Sequence, residues 1–280
     1  MTFNKLKFYK LFKIIFFTGV ILTMVVFWYD RYNFWFSGES VINCPKDSNV
    51  GIIKIHGRIA ISLEEPVSGE NETKPNIVLS ETVVKDLEQL KTNKKIKAII
   101  LDINSYGGSP TASEEIAKAL KTIKKPTVAL IKDSAFSAAY LTATAADKIY
   151  AGRFSEVGDI GVTMSYLDYS AKNKKEGIIY QRLFSAKFKD TGNPDKELTE
   201  EERQLLMENI EKMHKIFVEE VAQNRNLDIQ KVEKLADGST FVSQDAKENG
   251  LIDEIGGLNE VKEYLKKELN IEPKLCFIDN

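Results

Sequence analysis

Ser137 lies between an apolar run and a run of small residues, and this context indicates what chemistry the serine can do. The apolar residues 127–131 are typical of a strand, and the small residues that reach Ala146 are typical of a helix. At such a junction the first backbone N–H groups of the helix lack intrahelical partners and can stabilise the oxyanion of an acyl transfer. The pattern predicts that Ser137 is a nucleophile.

A nucleophilic serine needs a base, and the two histidines of the chain are poorly placed for that role. His56 falls in a predicted strand, where a buried histidine is the usual interpretation, and His214 falls mid-helix among charged neighbours. We therefore expect a lysine as the base, held neutral by burial in an apolar pocket. Lys187 and Lys189, in the loop 185–194, are candidates, although most loop lysines are simply solvated.

The paired glycines Gly107 and Gly108 lie between a predicted strand and a predicted helix. Such glycines bring backbone N–H groups close to a ligand, and a plain tight turn explains them equally well. Neither G-x-G-x-x-G nor a Walker lysine is present, which disfavours a phosphate loop. Two cysteines and two separated histidines make no zinc site, so we predict neither a metal nor a cofactor.

Alternating strands and helices must position these residues. Strands are predicted at 50–57, 96–103, 127–132, 148–151, 160–166 and 178–183. Helices are predicted at 80–92, at 113–124, at 137–146, between the last two strands, and from an N-cap at Thr199 to about residue 224. The apolar centre of 96–103 indicates burial on both faces, so we expect an α/β fold with a largely parallel sheet. The acidic stretch 64–75 is predicted to be a mobile loop.

The N-terminal residues predict one transmembrane helix. Residues 14–29 are apolar, four lysines precede them, and an aromatic belt that includes Trp28 and Trp35 follows. This charge bias places the N-terminus in the cytoplasm and the body across the cell membrane. A cleaved signal peptide is the alternative, disfavoured because no small-x-small cleavage site follows the apolar run.

The chain thus divides into a cytoplasmic basic tail (1–13), a transmembrane anchor (14–29), a linker (30–49) and a catalytic domain (50–280). Cys44 and Cys276 flank the body, and an extracytoplasmic location permits a disulfide between them. Two unrelated thiols are an equally good interpretation, since pairing is not readable from sequence. The net charge is −2, and the mildly acidic body argues against nucleic acid as a partner.

Taken together, the segments around Gly108, Ser137 and Lys189 resemble those of type A signal peptide peptidases, which are membrane-anchored serine–lysine proteases of the ClpP/crotonase-like fold. The resemblance extends over about residues 50–270. It includes Ala-Ala-Asp-Lys-Ile at 145–149, Gly-Asp-Ile-Gly-Val at 158–162, Leu-Thr-Glu-Glu-Glu-Arg at 198–203, Phe-Val-Ser-Gln-Asp-Ala at 241–246 and Gly-Leu-Ile-Asp-Glu-Ile-Gly at 250–256. Their order and spacing together make the resemblance specific.

The resemblance implies a residue for each role in a serine endopeptidase. Ser137 is the nucleophile, and Lys189, which stands just before Asp190, is the general base. Gly108 and Ala138 supply the oxyanion-hole N–H groups. The implied substrates are hydrophobic peptides such as remnant signal peptides after their release from preproteins. The implied assembly is a homo-oligomeric ring, with the dyad completed between neighbouring subunits and no cofactor.

The chain departs from the family pattern at two places. Ala138 and Ala139 follow the nucleophile where relatives usually have glycines, and alanine keeps the N–H if the backbone there is helical. Asp159 stands where relatives commonly place a serine near the lysine. A carboxylate within about 4–6 Å of Lys189 would favour the charged form of that lysine, so Asp159 is a possible modulator of the base.

The departure at Asp159 motivates one alternative function, a catalytically weakened scaffold or membrane-protein quality-control factor of the same fold. A second alternative is acyl-CoA chemistry, which crotonase-like enzymes carry out with paired N–H donors for an enolate. The predicted anchor and the pairing of Ser137 with Lys189 argue against this second alternative.

Overall fold

The structure, a computed structural model, describes residues 23–24, 28, 44–63 and 76–278. A compact unit begins at Cys44. The predicted basic tail, all but three residues of the predicted anchor, and the predicted acidic loop lie outside the described residues. Among the helices of the described residues, none combines the length and the apolar character needed to span a membrane.

Parallel strands form the centre of the compact unit. The strands are β1 (Val50–His56), β2 (Arg58–Ala60), β3 (Ile77–Leu79), β4 (Ala98–Ser105), β5 (Thr127–Phe136), β6 (Lys148–Ala151), β7 (Glu156–Gly158), β8 (Thr240–Val242), β9 (Glu254–Ile255) and β10 (Leu275–Ile278). The main sheet has the order β10-β1-β4-β5-β6-β9, and β7 pairs with β5 and, antiparallel, with β8. β2 and β3 form a small parallel pair. The predicted α/β fold with a largely parallel sheet is confirmed.

Helices follow most of the strands, as parallel connections require. They are α1 (Ser80–Thr92), α2 (Pro110–Lys121), α3 (Ala138–Thr144), α4 (Ser170–Lys175), α5 (Glu200–Arg225), α6 (Ile229–Leu235), α7 (Ser243–Asn249) and α8 (Leu258–Leu269). α2 begins three residues before its predicted start because Ser109 accepts a hydrogen bond from the N–H of Ala112 and Pro110 occupies the first turn. The predicted cap of α5 is confirmed as a capping box between Thr199 and Glu202.

The sheet is buried on both faces, in accord with its continuous apolar strands. One face packs against Val261 and Leu265 of α8 through alternate residues of four strands: Val50, Ile52, Ala98, Ile100, Val128, Leu130 and Tyr150. The opposite face meets α1, where Gly51 leaves room for Leu90, whose Cδ1 would lie 2.6 Å from an added Cβ. Burial on both faces fixes the register of β4 and β5, the two strands that lead into the site.

A disulfide joins the two ends of the compact unit. Cys44 and Cys276 are bonded, with their Cα atoms 5.1 Å apart. Cys276 is fully buried in β10, which pairs in parallel with β1. The structure therefore resolves the open question of the two cysteines in favour of pairing.

The strands predicted at 160–166 and 178–183 are wrong. The structure has no strand in either range, and the side chains of Ile179 and Leu183 are 78% and 99% exposed. A strand needs a neighbouring strand to satisfy its backbone, and no described strand of this chain pairs with these residues. The helix predicted between them is confirmed as α4. We call residues 161–199 the outer segment.

Candidate active site

Ser137 occupies a strained junction between β5 and α3. Its backbone angles are φ 52° and ψ −123°, and its N–H donates to the carbonyl of Gly158, 2.9 Å away. Non-glycine residues seldom adopt positive φ, and such strain persists only where the surrounding structure enforces it. Here β5 pairs with β4 on one side and with β7 on the other, which fixes the chain up to Phe136. The serine is thus presented at the carboxyl edge of the sheet.

The paired glycines lie against Ser137. β4 ends beside β5, and the loop that follows it runs so close that a Cβ on Gly107 would lie 3.1 Å from the Cβ of Ser137. A Cβ on Gly108 would lie 2.1 Å from the carbonyl oxygen of Ile59, and both glycines have positive φ. Glycine is therefore required at both positions for close backbone approach. The loop is thus packed tightly against Ile59 and Ser137.

Two backbone donors flank Ser137. Neither the N–H of Gly108 nor that of Ala138 makes a hydrogen bond within the part of the chain that the structure describes. Both residues line the same cleft as Ser137. Ala138 belongs to α3 and does not have positive φ, so alanine replaces the family's usual glycine there without backbone strain. These two N–H groups are suited to bind a developing oxyanion.

Buried hydroxyls fix the start of α3. The hydroxyl of Ser113, on α2, donates to the carbonyl oxygen of Ala138 at 2.5 Å and lies 2.8 Å from the hydroxyl of Thr142. At the end of α3, Asn224 of α5 donates to Thr144 Oγ1 at 2.9 Å. Satisfied buried networks of this kind rigidify their surroundings. The Ala138 N–H is therefore positioned before any substrate binds.

The cleft has a volume of about 610 Å³ and a largely apolar wall. The apolar lining comes from α3, α5 and the start of the outer segment: Leu141, Val162, Met213, Ile216 and Phe217. Carboxylates lie around it: Glu114, Asp159, Glu220 and Asp237. Glu114 and Glu220 are ion-paired with Lys118 and Lys121, at 2.5 Å and 3.2 Å. The lining suits an apolar ligand that carries little negative charge.

Asp159 is the carboxylate of the cleft without a partner among the described residues. It has positive φ (49°), and its N–H donates to the carbonyl of Ser239 at 2.9 Å. Burial raises the pKa of its carboxyl above the ordinary value. The residue predicted as a modulator of the base therefore lies in the same cleft as Ser137.

Lys189 is not among the residues that line the cleft of its own chain. It is exposed in the outer segment, where its N–H donates to the carbonyl of Ala186. The neighbouring Lys187 pairs with Glu201 at 2.8 Å. Asp190 accepts hydrogen bonds from Tyr180 and Asn193. The structure thus brings together Gly108, Ser137, Ala138 and Asp159 but leaves Lys189 apart from them.

Sequence reasoning missed His214 as a residue of the cleft. The histidine lies on α5, is half-buried, and lines the cleft beside Met213 and Phe217. The three- and four-residue spacing of Met213, Ile216 and Phe217 was the available indication that this helix turns one face toward the site. His56 is elsewhere, with its Nε2 3.4 Å from the Asp102 carboxylate. Among the described residues no cluster of three or more metal-ligating side chains occurs.

Comparison with known proteins gives two matching families. The model of peptidase family S49 matches residues 119–272, and the Clp protease model matches residues 69–156. Residues 119–272 cover more than half of the chain and include both Ser137 and Lys189. The Clp protease match covers β4, α2 and the junction at Ser137, and it is consistent with the α/β architecture.

Individual relatives carry protease names. A putative protease of Methanocaldococcus jannaschii is 35% identical over 187 residues, which cover 66% of this chain and 60% of that protein. A putative signal peptide peptidase SppA of Enterococcus faecium is 36% identical over 185 residues, covering 65% and 54%. The chloroplastic serine protease SPPA of Arabidopsis thaliana is 28% identical over 225 residues, covering 79% and 32%. The matched part is thus between about a third and three fifths of each relative.

Proposed function

The chain belongs to peptidase family S49, and on this premise we propose that it is a membrane-anchored serine endopeptidase that cleaves hydrophobic peptides, such as remnant signal peptides. One observation carries the proposal. Ser137 is held in a strained backbone conformation beside the Gly108 and Ala138 N–H groups, in a cleft with an apolar wall. A serine and two free donors are what acyl transfer requires at its reacting centre.

In the proposed reaction Ser137 Oγ attacks the carbonyl carbon of the scissile peptide bond. A C–O bond forms while Lys189 Nζ takes the hydroxyl proton, and the N–H groups of Gly108 and Ala138 hold the oxyanion. The C–N bond then breaks, and the leaving amine receives the proton from Lys189. Water attacks the acyl-enzyme with Lys189 again accepting a proton, which releases the second product and restores the Ser137 hydroxyl.

We propose that Lys189 reaches the cleft of a neighbouring copy of the chain. The lysine lies on an exposed segment outside its own cleft, so a dyad in one chain has no support from the geometry. The outer segment also exposes large apolar side chains, among them Ile179 and Leu183, which association would remove from water. Head-to-tail association of this kind forms a ring where the rotation between copies closes, and we propose such a ring here.

The apolar wall of the cleft supports hydrophobic substrates. Met213, Ile216 and Phe217 of α5 line the same cleft as Ser137, and burial of an apolar side chain there gains about 25 cal/mol per Å². The two rim carboxylates that are ion-paired do not repel such a peptide strongly. The proposed substrate class follows from this lining.

The proposed location is the cell membrane, with the catalytic domain outside the cytoplasm. The apolar run 14–29 behind four lysines supports an anchor of that orientation. The disulfide between Cys44 and Cys276 supports an oxidising compartment for the body, because such bonds seldom persist in the cytosol.

Two inactive variants test the dyad and its placement together. Ser137→Ala and Lys189→Ala should each lose peptide cleavage by at least about 10⁴-fold while melting as the unaltered protein does. When the two variants are mixed and reassembled, about a quarter of the sites should regain both groups if the dyad forms between copies. Lys187→Ala, on the neighbouring lysine, should retain activity.

The outcomes separate the parts of the proposal. No recovery in the mixture would exclude a dyad between copies, and an active Lys189→Ala variant would exclude Lys189 as the base. A second candidate function, a catalytically weakened scaffold, is favoured by the unpartnered Asp159 in the cleft. Labelling of Ser137 by a fluorophosphonate at a rate typical of serine hydrolases would exclude that candidate.

A further inference from the structure

Tyr106 presents an exposed aromatic ring at the edge of the nucleophile. Tyr106 is 74% exposed, yet a contact with a neighbouring ring holds its side chain in place. The ring stacks on that of Phe136, with centroids 5.4 Å apart and planes inclined by 27°. Phe136 immediately precedes Ser137, and Tyr106 immediately precedes Gly107, where an added Cβ would lie 3.1 Å from the Ser137 Cβ. The ring is thereby fixed beside the reacting centre.

The Tyr106 ring lies outside the cleft but next to it. Gly108 and Ser137 line the cleft, whereas neither Tyr106 nor Phe136 does. An extended peptide advances about 3.3 Å per residue, so a substrate whose scissile bond is at Ser137 cannot keep all its side chains within the cleft. On leaving it past the glycine loop, the peptide would meet the Tyr106 ring.

We propose that Tyr106 is a specificity-determining residue, which packs against a large apolar or aromatic side chain of the substrate on the side of the scissile bond opposite the cleft. This inference rests on the proposed peptidase function. An exposed ring that is already held by stacking loses little conformational freedom on binding, so contact with an apolar side chain yields a net gain. A small side chain at that substrate position covers little of the ring and gains little.

The cleft and the ring together predict a substrate that is apolar on both sides of the cleaved bond. The cleft binds one side through α5, and Tyr106 with Phe136 binds the other. A stretch of apolar residues satisfies both surfaces, while a single apolar residue within a polar peptide satisfies one of them. The Tyr106 ring therefore makes the protein select substrates with a run of apolar residues rather than a single apolar residue.

The test uses the full chain and pairs of peptides that differ only in Phe or Ala at one position, scanned along both sides of the cleaved bond. Tyr106→Ala should lower kcat/KM about tenfold for Phe peptides at one position, with little change for the matched Ala peptides. Tyr106→Phe should retain the preference because it keeps the ring. Phe154→Ala removes an exposed aromatic side chain (90% exposed) that does not line the cleft, and should change neither series.

Ser137 labelling by a small fluorophosphonate, measured in every variant, reports the catalytic centre independently of the peptide. If Tyr106→Ala lowers kcat/KM equally for the Phe and Ala peptides, or for neither, the proposed role of Tyr106 is wrong. Labelling and cleavage by the unaltered chain would still support the peptidase function in that case. Absence of both labelling and cleavage in the unaltered chain would overturn both. Should Tyr106→Ala melt early, the ratio of cleavage of the matched Phe and Ala peptides decides the question, because loss of folded enzyme lowers both rates equally.

Discussion

The nucleophile and its proposed base lie in two regions of very different construction. The serine side is built from the core: β4 and β5 are buried on both faces, and Ala138 is only 3% exposed. The outer segment, which carries Lys189, is mostly exposed and contains one short helix, α4. One chain can therefore preorganise the proposed oxyanion site alone, whereas the position of the proposed base depends on what the outer segment packs against. Assembly would then control activity without any change in the serine side.

The largest expected effect comes from comparing the same substitution at one glycine of each region. Gly108→Ala should lower kcat/KM by about 10²–10³-fold, because the Cβ collides with Ile59 and displaces an oxyanion donor. Gly192→Ala, in the outer segment, has similar positive φ (76°) but no atom within 4 Å of the added Cβ. It should cost about 1 kcal/mol of stability and little activity. Comparable activity losses in peptide cleavage assays would contradict the contrast between the regions.

A buried ion pair anchors the end of the outer segment to α5. Lys196 and Glu202, 8% and 2% exposed, are joined by hydrogen bonds of 2.8 and 2.7 Å. Lys196→Met should cost about 3 kcal/mol, as chemical denaturation would measure, because the buried Glu202 carboxylate then keeps only Arg182, 3.5 Å away, and the Thr199 N–H as partners. The exposed pair of Lys187 and Glu201 is the matched control, and Lys187→Met should cost less than about 1 kcal/mol.

The same pair gives this anchor a pH dependence. The hydrogen bond from Lys196 lowers the pKa of Glu202 to about 2 from its usual 4.5. Because the folded pKa is lowered, the stabilisation is complete above about pH 4.5 and is lost as the pH falls toward 2. The protection factors of the outer-segment amides, which are exchange rates corrected for the intrinsic pH dependence, should fall over that range in the unaltered chain. A Lys196→Met variant that shows the same acid dependence would exclude the pair as its cause.

A smaller effect is expected where the two regions are proposed to meet. Asp159 lies in the cleft, and its ionised form would favour the charged form of an approaching Lys189. Asp159→Asn should shift the acidic limb of the pH–rate profile to lower pH by about one unit, because the base becomes neutral at lower pH. Asp195→Asn, on the outer segment, should leave the profile unchanged. Identical profiles for Asp159→Asn and the unaltered chain would show that Asp159 does not act on the base.

The smallest effect is expected in the buried region that carries Ser137. Asp86 of α1 is 2% exposed, its Oδ2 has no hydrogen-bond partner among the described residues, and burial raises its pKa to about 6. Because the folded pKa is raised, the charged carboxylate opposes folding above pH 6 and not below about pH 4. Asp86→Asn should raise stability by about 1–2 kcal/mol at pH 8, measured by denaturation, with unchanged activity.

Asp147→Asn is the matched control for Asp86. The Asp147 carboxylate accepts hydrogen bonds from both the N–H and the hydroxyl of Thr127. Its replacement should destabilise the protein at the same pH. A gain from Asp147→Asn would mean that burial alone does not explain Asp86.

Sequence patterns were sufficient where local chemistry and burial agree. The strand at residues 148–151, the helix at 80–92 and the cap at Thr199 are found where predicted, because apolar periodicity and capping residues act over a few neighbours. The strand–turn–helix contexts of Ser137 and Gly108 are local in the same way, and the structure places both residues in one cleft. Their proposed roles stay predictions.

The wrong strands, the open question of the cysteines and the omission of His214 all depend on non-local contacts. Residues 160–166 and 178–183 have strand-forming composition, but β propensity forms no strand without a neighbouring edge. Pairing of Cys44 with Cys276 required knowledge that β10 lies beside β1, across 232 residues of sequence. His214 joined the cleft only because α5 packs near α3, which its mid-helix position did not reveal.

The disulfide between Cys44 and Cys276 has a mechanical consequence. Tension along the chain before Cys44 enters the compact unit through β1 by the backbone and through β10 by the sulfur bridge. The load is thus shared by two adjacent strands, of which β1 is also paired with β4 at seven positions. After reduction of the disulfide, β1 alone would carry the force. The sulfur bridge would then no longer hold β10, which pairs with β1 at four positions, at the edge of the sheet.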